Sequence, residues 1–78
     1  MKDLVLFLAK QLVNHPEAVE VKEIQGETAS VLELRVAKDD LGRVIGKQGR
    51  TAKSIRTILN AAASRTNRKV VLEIIEER

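Results

Sequence analysis

The sequence contains no cysteine and no long apolar run, and both absences limit the kind of protein it can be. Without cysteine there is neither a disulfide framework nor a thiolate metal site, which favours a reducing compartment. No stretch approaches the roughly 18 apolar residues that a membrane helix needs. The apolar N-terminal segment is interrupted by Asp3, Lys10 and Gln11 and has no small-residue cleavage site, so we expect a cytoplasmic protein without membrane association.

The chain is also short. Its 78 residues contain no internal repeat, low-complexity tract or linker, which predicts one domain over residues 1–78. A chain of this length buries only about 60% of the surface of its unfolded form, so its own core gives limited stability. A second copy or another partner would add to that stability.

The net charge of +3 is unevenly distributed along the chain. Residues 1–37 have four Lys or Arg against six Asp or Glu, whereas residues 38–69 have nine against two. Residues 70–78 return to a negative balance. A basic segment of this kind is typical of proteins that bind phosphates, because neutralising phosphates releases counterions. A solvated basic face is the alternative.

Hydrophobic periodicity predicts a helix and two strands in the first half of the chain. Leucines at four-residue spacing predict the helix over about Lys2 to Asn14, and Pro16 ends it because the residue before a proline avoids the α conformation. The alternation at Val19 to Val21 predicts a strand, and Ile24 breaks its phase, which indicates a bulge or the strand end. A clearer strand follows at Leu32 to Val36.

Two helices and a closing strand are predicted in the second half. Asp39 or Asp40 can cap a short helix that ends near Ile45. A longer helix over about Arg50 to Arg65 separates an apolar side from a basic sector. The apolar side holds Ala52, Ile55, Leu59 and Ala62, and the basic sector holds Arg50, Lys53 and Arg56. Alternating apolar residues from Val70 to Ile75 predict the last strand, so the element order is αββααβ.

The loop between the two central helices reads Gly46, Lys47, Gln48, Gly49. Without a Cβ at either glycine, a sugar-phosphate strand can lie on the main chain, and the amides that open the next helix point toward an anion. Lys47 adds a charge and Gln48 a hydrogen-bond donor. An ordinary connection between two helices is the alternative. Gly42, four residues earlier, is explained equally by close helix packing or by ligand approach, so we leave it outside the predicted site.

An αββααβ chain with a Gly-x-x-Gly loop between its central helices resembles a type II KH domain over its whole length. By size it is similar to the small bacterial single-KH-domain RNA-binding proteins of the KhpA type. The resemblance implies an α+β fold in which a three-stranded sheet packs against three helices. It also implies single-stranded RNA as the partner, and a role as an RNA chaperone or post-transcriptional regulator linked to bacterial growth and cell shape.

The resemblance further implies which residues contact RNA. The loop would grip the backbone of about four nucleotides. One groove wall would come from Leu41, Val44 and Ile45, and the other from Arg68, Lys69, Val70 and Val71. The full predicted set is Arg43, Val44, Ile45, Gly46, Lys47, Gln48, Gly49, Arg50, Lys53, Arg56, Arg68 and Lys69. The chain departs from the family at Ala52, where a bulky aliphatic residue is common, and Ile55 is the candidate to fill that volume.

The single aromatic residue, Phe7, leaves no platform of the kind on which RNA-recognition motifs and oligonucleotide-binding barrels stack bases. We therefore expect bases to sit in an aliphatic groove and to be read by hydrogen bonds, with modest affinity and loose sequence preference. The residues do not distinguish RNA from single-stranded DNA.

No catalytic or metal-binding pattern is present. The glycine spacing is one residue short of a nucleotide-hydrolase phosphate loop, and Gln48 stands where that loop has a hydroxyl. His15 has no second histidine or cysteine to share a metal, and neither Ser54 nor Ser64 has a base at a recognisable spacing. We predict a non-enzymatic protein with no cofactor, no metal and no small-molecule substrate.

The competing interpretation is a protein-interaction module. The small core and the apolar closing strand would then serve a homodimer, or a heterodimer with another KH-domain protein. The two interpretations can both hold.

Overall fold

The computed structural model describes residues 1–76, apart from the side chain of Thr66. Within this range the chain forms three α-helices and three strands in the predicted αββααβ order. They are α1 Lys2–Leu12, β1 Glu20–Gln25, β2 Ala29–Val36, α2 Leu41–Ile45, α3 Arg50–Ala63 and β3 Lys69–Glu76. One-turn 3₁₀ helices lie between them at Pro16–Ala18, Lys38–Asp40, Lys47–Gly49 and Ser64–Thr66. The predicted α+β class is confirmed.

The strands form one mixed sheet in the order β1-β2-β3. β1 is antiparallel to β2, and β3 is parallel to β2. The β1–β2 register runs without interruption from Glu20↔Arg35 to Gln25↔Ser30, so of the two alternatives predicted at Ile24 the bulge is wrong, and the strand ends one residue later. Glu23 takes the next core-side position after Val21, and Ile24 lies on the opposite face one residue before the strand ends.

All three helices contribute to a core on one face of the sheet. Leu32, Leu34 and Val36 of β2 are completely buried there. The residues packed with them are Val5, Ala9, Val19, Val21, Val44, Ile55, Leu59 and Leu72. This arrangement leaves the other face of the sheet without a covering helix in the described chain, and Ile24, Val31 and Val71 lie side by side on it.

Two helix ends differ from the predictions. α1 ends at Leu12, because Val13 is already in an extended conformation. α3 ends at Ala63, and Ala63 is buried where Ala62 was expected to be. Both alanines are compatible with the stripe that contains Leu59, because they follow it by three and four residues, and the packing of the helix selects the later one. None of the helices in residues 1–76 is both long enough and apolar enough to cross a membrane.

Asp40 joins the end of α1 to the start of α2. It precedes α2 directly, but its side chain makes no capping hydrogen bond, so the predicted cap is wrong. Its completely buried carboxylate instead accepts the backbone N–H groups of Asn14, 3.0 Å, and His15, 2.9 Å. Arg43 adds an ion pair, with Nε 3.4 Å from Oδ1.

The environment of Asp40 sets its charge state. Burial alone would raise the pKa of the Asp40 carboxyl, but the two N–H donors and the Coulombic effect of the nearby His15 and Arg43 side chains together hold the pKa below its ordinary value. In the folded protein the carboxylate therefore stays ionised to a lower pH than an ordinary aspartate does, and it anchors the short helix that leads into the glycine loop.

Candidate nucleic-acid interface

The loop at residues 46–49 has an unusual backbone. The Gly46 N–H closes α2 by donating to the Gly42 carbonyl, 2.8 Å, and the Gly49 N–H donates to the Gly46 carbonyl, 3.1 Å. Positive φ angles occur at Gly46, Gln48 and Gly49. Such angles are uncommon outside glycine, so the loop keeps a tight path that few other sequences would adopt without strain.

The two loop glycines differ in what surrounds them. A Cβ on Gly46 would overlap the Thr51 hydroxyl and lie 2.8 Å from the Thr51 nitrogen. A Cβ on Gly49 would meet no atom within 4 Å. The open main chain that the sequence predicted is therefore found at Gly49, whereas Gly46 is required by packing within the chain. A Cβ on Gly42 would also meet nothing, so close helix packing does not explain that glycine.

The start of α3 faces this loop. No side chain caps the helix, and Gly49 occupies the N-cap position. The N–H groups of Gly49 and Arg50 already donate to the Gly46 and Lys47 carbonyls, so it is the positive end of the helix dipole and the later N–H groups of the first turn that favour an anion at this point. Lys47, Gln48 and Arg50 are all exposed around it. The arrangement can hold a phosphate between backbone donors and cationic side chains.

The predicted cations divide into free and engaged groups. Lys47, Arg50 and Lys53 are exposed near the loop. Arg43 is paired with the Asp40 carboxylate. Arg56 is exposed as a residue, yet its Nη2 donates to the Leu72 carbonyl of β3, 3.3 Å. α3 therefore presents its basic side toward the outer edge of β3.

The predicted apolar wall on α2 is only partly available. Val44 is completely buried in the core, so its side chain does not line an exposed groove. Ile45 is exposed, and Leu41 is half-buried and packs against the core. Neighbouring positions on a short helix point in different directions, and only Ile45 of the three is turned outward. Ala52 and Ile55 are both buried, with Ile55 in the core cluster.

Arg68 and Lys69 lie far from the loop. α3 has 14 residues, so its two ends are about 20 Å apart, and these two residues follow its C-terminal end. The Arg68 guanidinium donates to the Gly26 carbonyl, 2.8 Å, and to Ser30 Oγ, 3.2 Å, at the β1–β2 turn. The structure brings the other predicted residues together around α2 and α3, but it places this pair at the opposite end of the sheet.

Val70 and Val71, the apolar residues predicted for the second groove wall, lie on different faces of the sheet. Val70 packs against the core from the helix-covered face, whereas Val71 pairs with Val31 on the uncovered face. Consecutive strand residues point to opposite faces, so these two side chains cannot line one groove.

The sequence-based prediction did not include two residues that shape the site. Thr51 dictates glycine at position 46, and the Leu72 carbonyl orients Arg56. The serine- and threonine-rich start of α3 gave no signal for the first contact. The second depends on which strand lies beside α3, and no periodicity along the chain reports that.

Across residues 1–76 no group of three His, Asp or Glu side chains is placed to hold a metal ion. His15 is exposed, with Nδ1 3.6 Å from a Glu17 carboxylate oxygen.

Comparison with known proteins gives a consistent family. The sequence profile described as KhpA/KhpB, KH domain, matches residues 2–74. The chain is 57% identical to "RNA-binding protein KhpA" of Clostridium perfringens, over 96% of this chain and 100% of that protein. The protein of the same name from Chlamydia muridarum is 54% identical over 100% of both chains. That of Borreliella burgdorferi is 46% identical over 95% of this chain and 90% of its own length. No solved structure gives a significant match.

Proposed function

Because the chain belongs to the KhpA/KhpB KH-domain family, we propose that it binds single-stranded RNA through the loop at residues 46–49. The observation that carries the proposal is the open backbone at Gly49, beside an uncapped helix start and three exposed side chains, Lys47, Gln48 and Arg50. Relatives that share about half of the residues over nearly their full length are named RNA-binding proteins.

The proposed mechanism is a backbone clamp. One phosphate lies over Gly49, where the absence of a Cβ allows it to approach the N–H groups that open α3. Lys47 and Arg50 neutralise adjacent phosphates from either side of the loop, and Lys53 continues the cationic track along α3. Bases then turn toward the space between α3 and the edge of β3, with Ile45 as an exposed apolar contact.

The proposal predicts that Lys47→Asp combined with Gln48→Asp abolishes RNA binding. Two carboxylates at the loop would repel phosphates and cancel the helix dipole. We expect the variant to remain folded, because both side chains are exposed and because aspartate tolerates the positive φ of residue 48 better than glutamine does. Gel shifts with a labelled single-stranded RNA measure the effect, with circular dichroism as the folding check.

A matched control exchanges two exposed residues on another surface. Lys10→Asp with Gln11→Asp makes the same charge change at the end of α1. If the loop is the RNA-binding site, this control variant should retain most of the wild-type affinity for RNA. Equal binding by the loop variant and the wild type would remove the basis of the proposal.

A cellular role follows from RNA binding. We infer that the protein acts in the cytoplasm as an RNA chaperone or post-transcriptional regulator, without a cofactor. The family membership supports this role. Crosslinking in cells, followed by sequencing of the bound nucleic acid, tests it and also separates RNA from single-stranded DNA. Recovery of no RNA above a loop-variant control would contradict it.

Dimerisation stays a second proposal, favoured by one observation. Val71 and Ile75 of the closing strand lie on the sheet face that no helix of the described chain covers, next to Val31 and exposed Ile24. Light scattering with and without RNA separates this role from the clamp. A stable oligomer whose mass does not change when RNA is added supports the interaction module. A monomer whose mass increases when RNA is added supports the clamp alone.

A further inference from the structure

Arg56 changes which hydrogen-bonding groups the outer edge of β3 presents to a nucleic-acid base. β3 is the last strand of the sheet, so among the described residues one side of its backbone has no neighbouring strand. The Lys69 N–H donates to the Thr28 carbonyl, 3.1 Å, and the alternation along a strand then turns the N–H and C=O groups of Leu72 outward. The Leu72 carbonyl is already occupied by the Arg56 guanidinium, 3.3 Å away.

Arg56 is placed to meet a ligand that the loop holds. It lies about 10 Å along the axis of α3 from Gly49, on the flank that also carries Lys53. The residue is exposed, although one nitrogen is fixed against β3. A guanidinium has five N–H donors, so several stay available after the bond to Leu72 is made. The carbonyl contact orients these donors toward the space between α3 and β3.

At Leu72 the outer edge of β3 therefore presents mainly hydrogen-bond donors. A backbone N–H and C=O pair by itself suits adenine, which presents an N6–H donor beside a ring-nitrogen acceptor, and it suits cytosine equally through N4–H and N3. With Arg56 in place, the adenine donor would face guanidinium donors. Guanine presents O6 and N7, and cytosine presents O2 and N3, as adjacent acceptors that match the Leu72 N–H and the guanidinium. An arginine contact with two acceptors is also stronger than a neutral hydrogen bond.

We infer that Arg56 and the Leu72 N–H form a base-selective position that prefers cytosine or guanine to adenine. The inference rests on the proposed function, because it requires single-stranded RNA to run from the loop along α3. It goes beyond that function by assigning a base preference to two named groups.

The test compares the Kd of the full chain for octacytidylate and octaadenylate by fluorescence anisotropy. We expect the wild type to bind octacytidylate about five-fold more tightly or better, the lower limit for a good two-point base contact. Arg56→Ala frees the Leu72 carbonyl for either base, so the Kd for octaadenylate divided by the Kd for octacytidylate should fall to about one. Because the ratio is compared between variants, the intrinsic stacking of the adenine strand cancels.

Two further variants separate charge from hydrogen bonding. Lys53→Ala removes a cation from the same flank and should weaken both oligonucleotides equally, leaving the ratio unchanged. Arg56→Lys keeps the charge but loses the planar fork, so overall affinity should hold while the ratio falls. This variant also retains a long cationic side chain, which guards against a folding defect in Arg56→Ala.

An Arg56→Ala ratio equal to that of the wild type overturns the inference, as does a fall in the ratio for Lys53→Ala of the same size. The proposed function fails differently. In that case the wild type binds neither oligonucleotide, or the double aspartate variant of the loop binds both as well as the wild type does.

Discussion

Gly46 and Gly49 occupy different parts of conformational space. Gly46 has φ 78° and ψ 172°, a region that essentially only glycine populates, and Thr51 fills the position its Cβ would take. Gly49 has φ 73° and ψ 12°, the left-handed helical region that asparagine also tolerates, with open space around it. The first glycine shapes the loop, and the second leaves its surface bare.

The difference predicts unequal effects of the same substitution. Gly46→Asn should destabilise the protein by about 2 kcal/mol or more, because it adds both a forbidden backbone conformation and an overlap with Thr51. Gly49→Asn should cost less than about 1 kcal/mol, since asparagine adopts the left-handed region at little cost. Urea unfolding of the two variants measures both values. Similar losses of stability for the two variants would contradict both the glycine-only conformation and the overlap assigned to position 46.

At the scale of elements, long-range hydrogen bonds fix how α1, α2 and α3 sit on the sheet. Asp40 ties the segment after α1 to the start of α2 across 25 residues of sequence. Arg56 ties α3 to β3, and Arg68 ties the start of β3 to the β1–β2 turn. α2 has only five residues and could not hold its position by its own backbone bonds. The orientation of the loop therefore depends on Asp40 together with the buried Val44 of α2.

This dependence predicts a defined pH effect on stability. Since the pKa of Asp40 is lower in the folded protein, its contribution is complete above the unfolded value of 3.8 and is lost as the pH falls through the folded value. Asp40→Asn should lower the free energy of unfolding at pH 7, because the amide cannot accept both N–H groups. The difference between wild type and variant should shrink below pH 3.8.

The matched control is Asp39→Asn, which removes the neighbouring exposed carboxylate. Surface changes of this kind stay within about 0.5 kcal/mol. Urea unfolding from pH 7 to pH 2 follows all three proteins. A wild-type to Asp40→Asn difference that stays constant over this range would contradict the role assigned to the carboxylate.

At the scale of the whole molecule, positive charge is placed at both ends of α3. Lys47, Arg50 and Lys53 lie at the loop end, and Lys69 lies at the other end, about 20 Å away along the helix. An RNA of only about four nucleotides, the length that the loop grips, is held at the loop end, whereas a longer RNA can continue along α3 to Lys69. The reach of the proposed RNA along the molecule therefore depends on its length.

This layout predicts a length-dependent salt effect. Lys47→Ala should lower the slope of log K against log salt by about 0.7 for a four-nucleotide and a twelve-nucleotide RNA alike, since one phosphate contact is lost in each. Lys69→Ala should lower the slope for the longer RNA only. Binding titrations at several salt concentrations give the slopes, with Lys10→Ala on α1 as the unaffected control. A changed slope for Lys69→Ala with the short RNA would place the strand elsewhere.

Much of this protein followed from local pattern. The order of elements, the core-facing residues of β2 and the position of the glycine loop all depend on neighbours along the chain, where the periods of two and 3.6 residues are visible. The same holds for Ile55 and Leu59, which were predicted on the buried side of α3 and are found there. The basic sector of that helix was visible for the same reason.

The remaining features were decided by tertiary packing. The two N–H donors that claim Asp40, the threonine that requires glycine at position 46 and the strand carbonyl that orients Arg56 each depend on surfaces meeting in space. Periodicity gives the direction of a side chain relative to its own element, but not what stands opposite it. For that reason the sequence located the loop and its charge, and only the folded chain determined which cations are free and which are held.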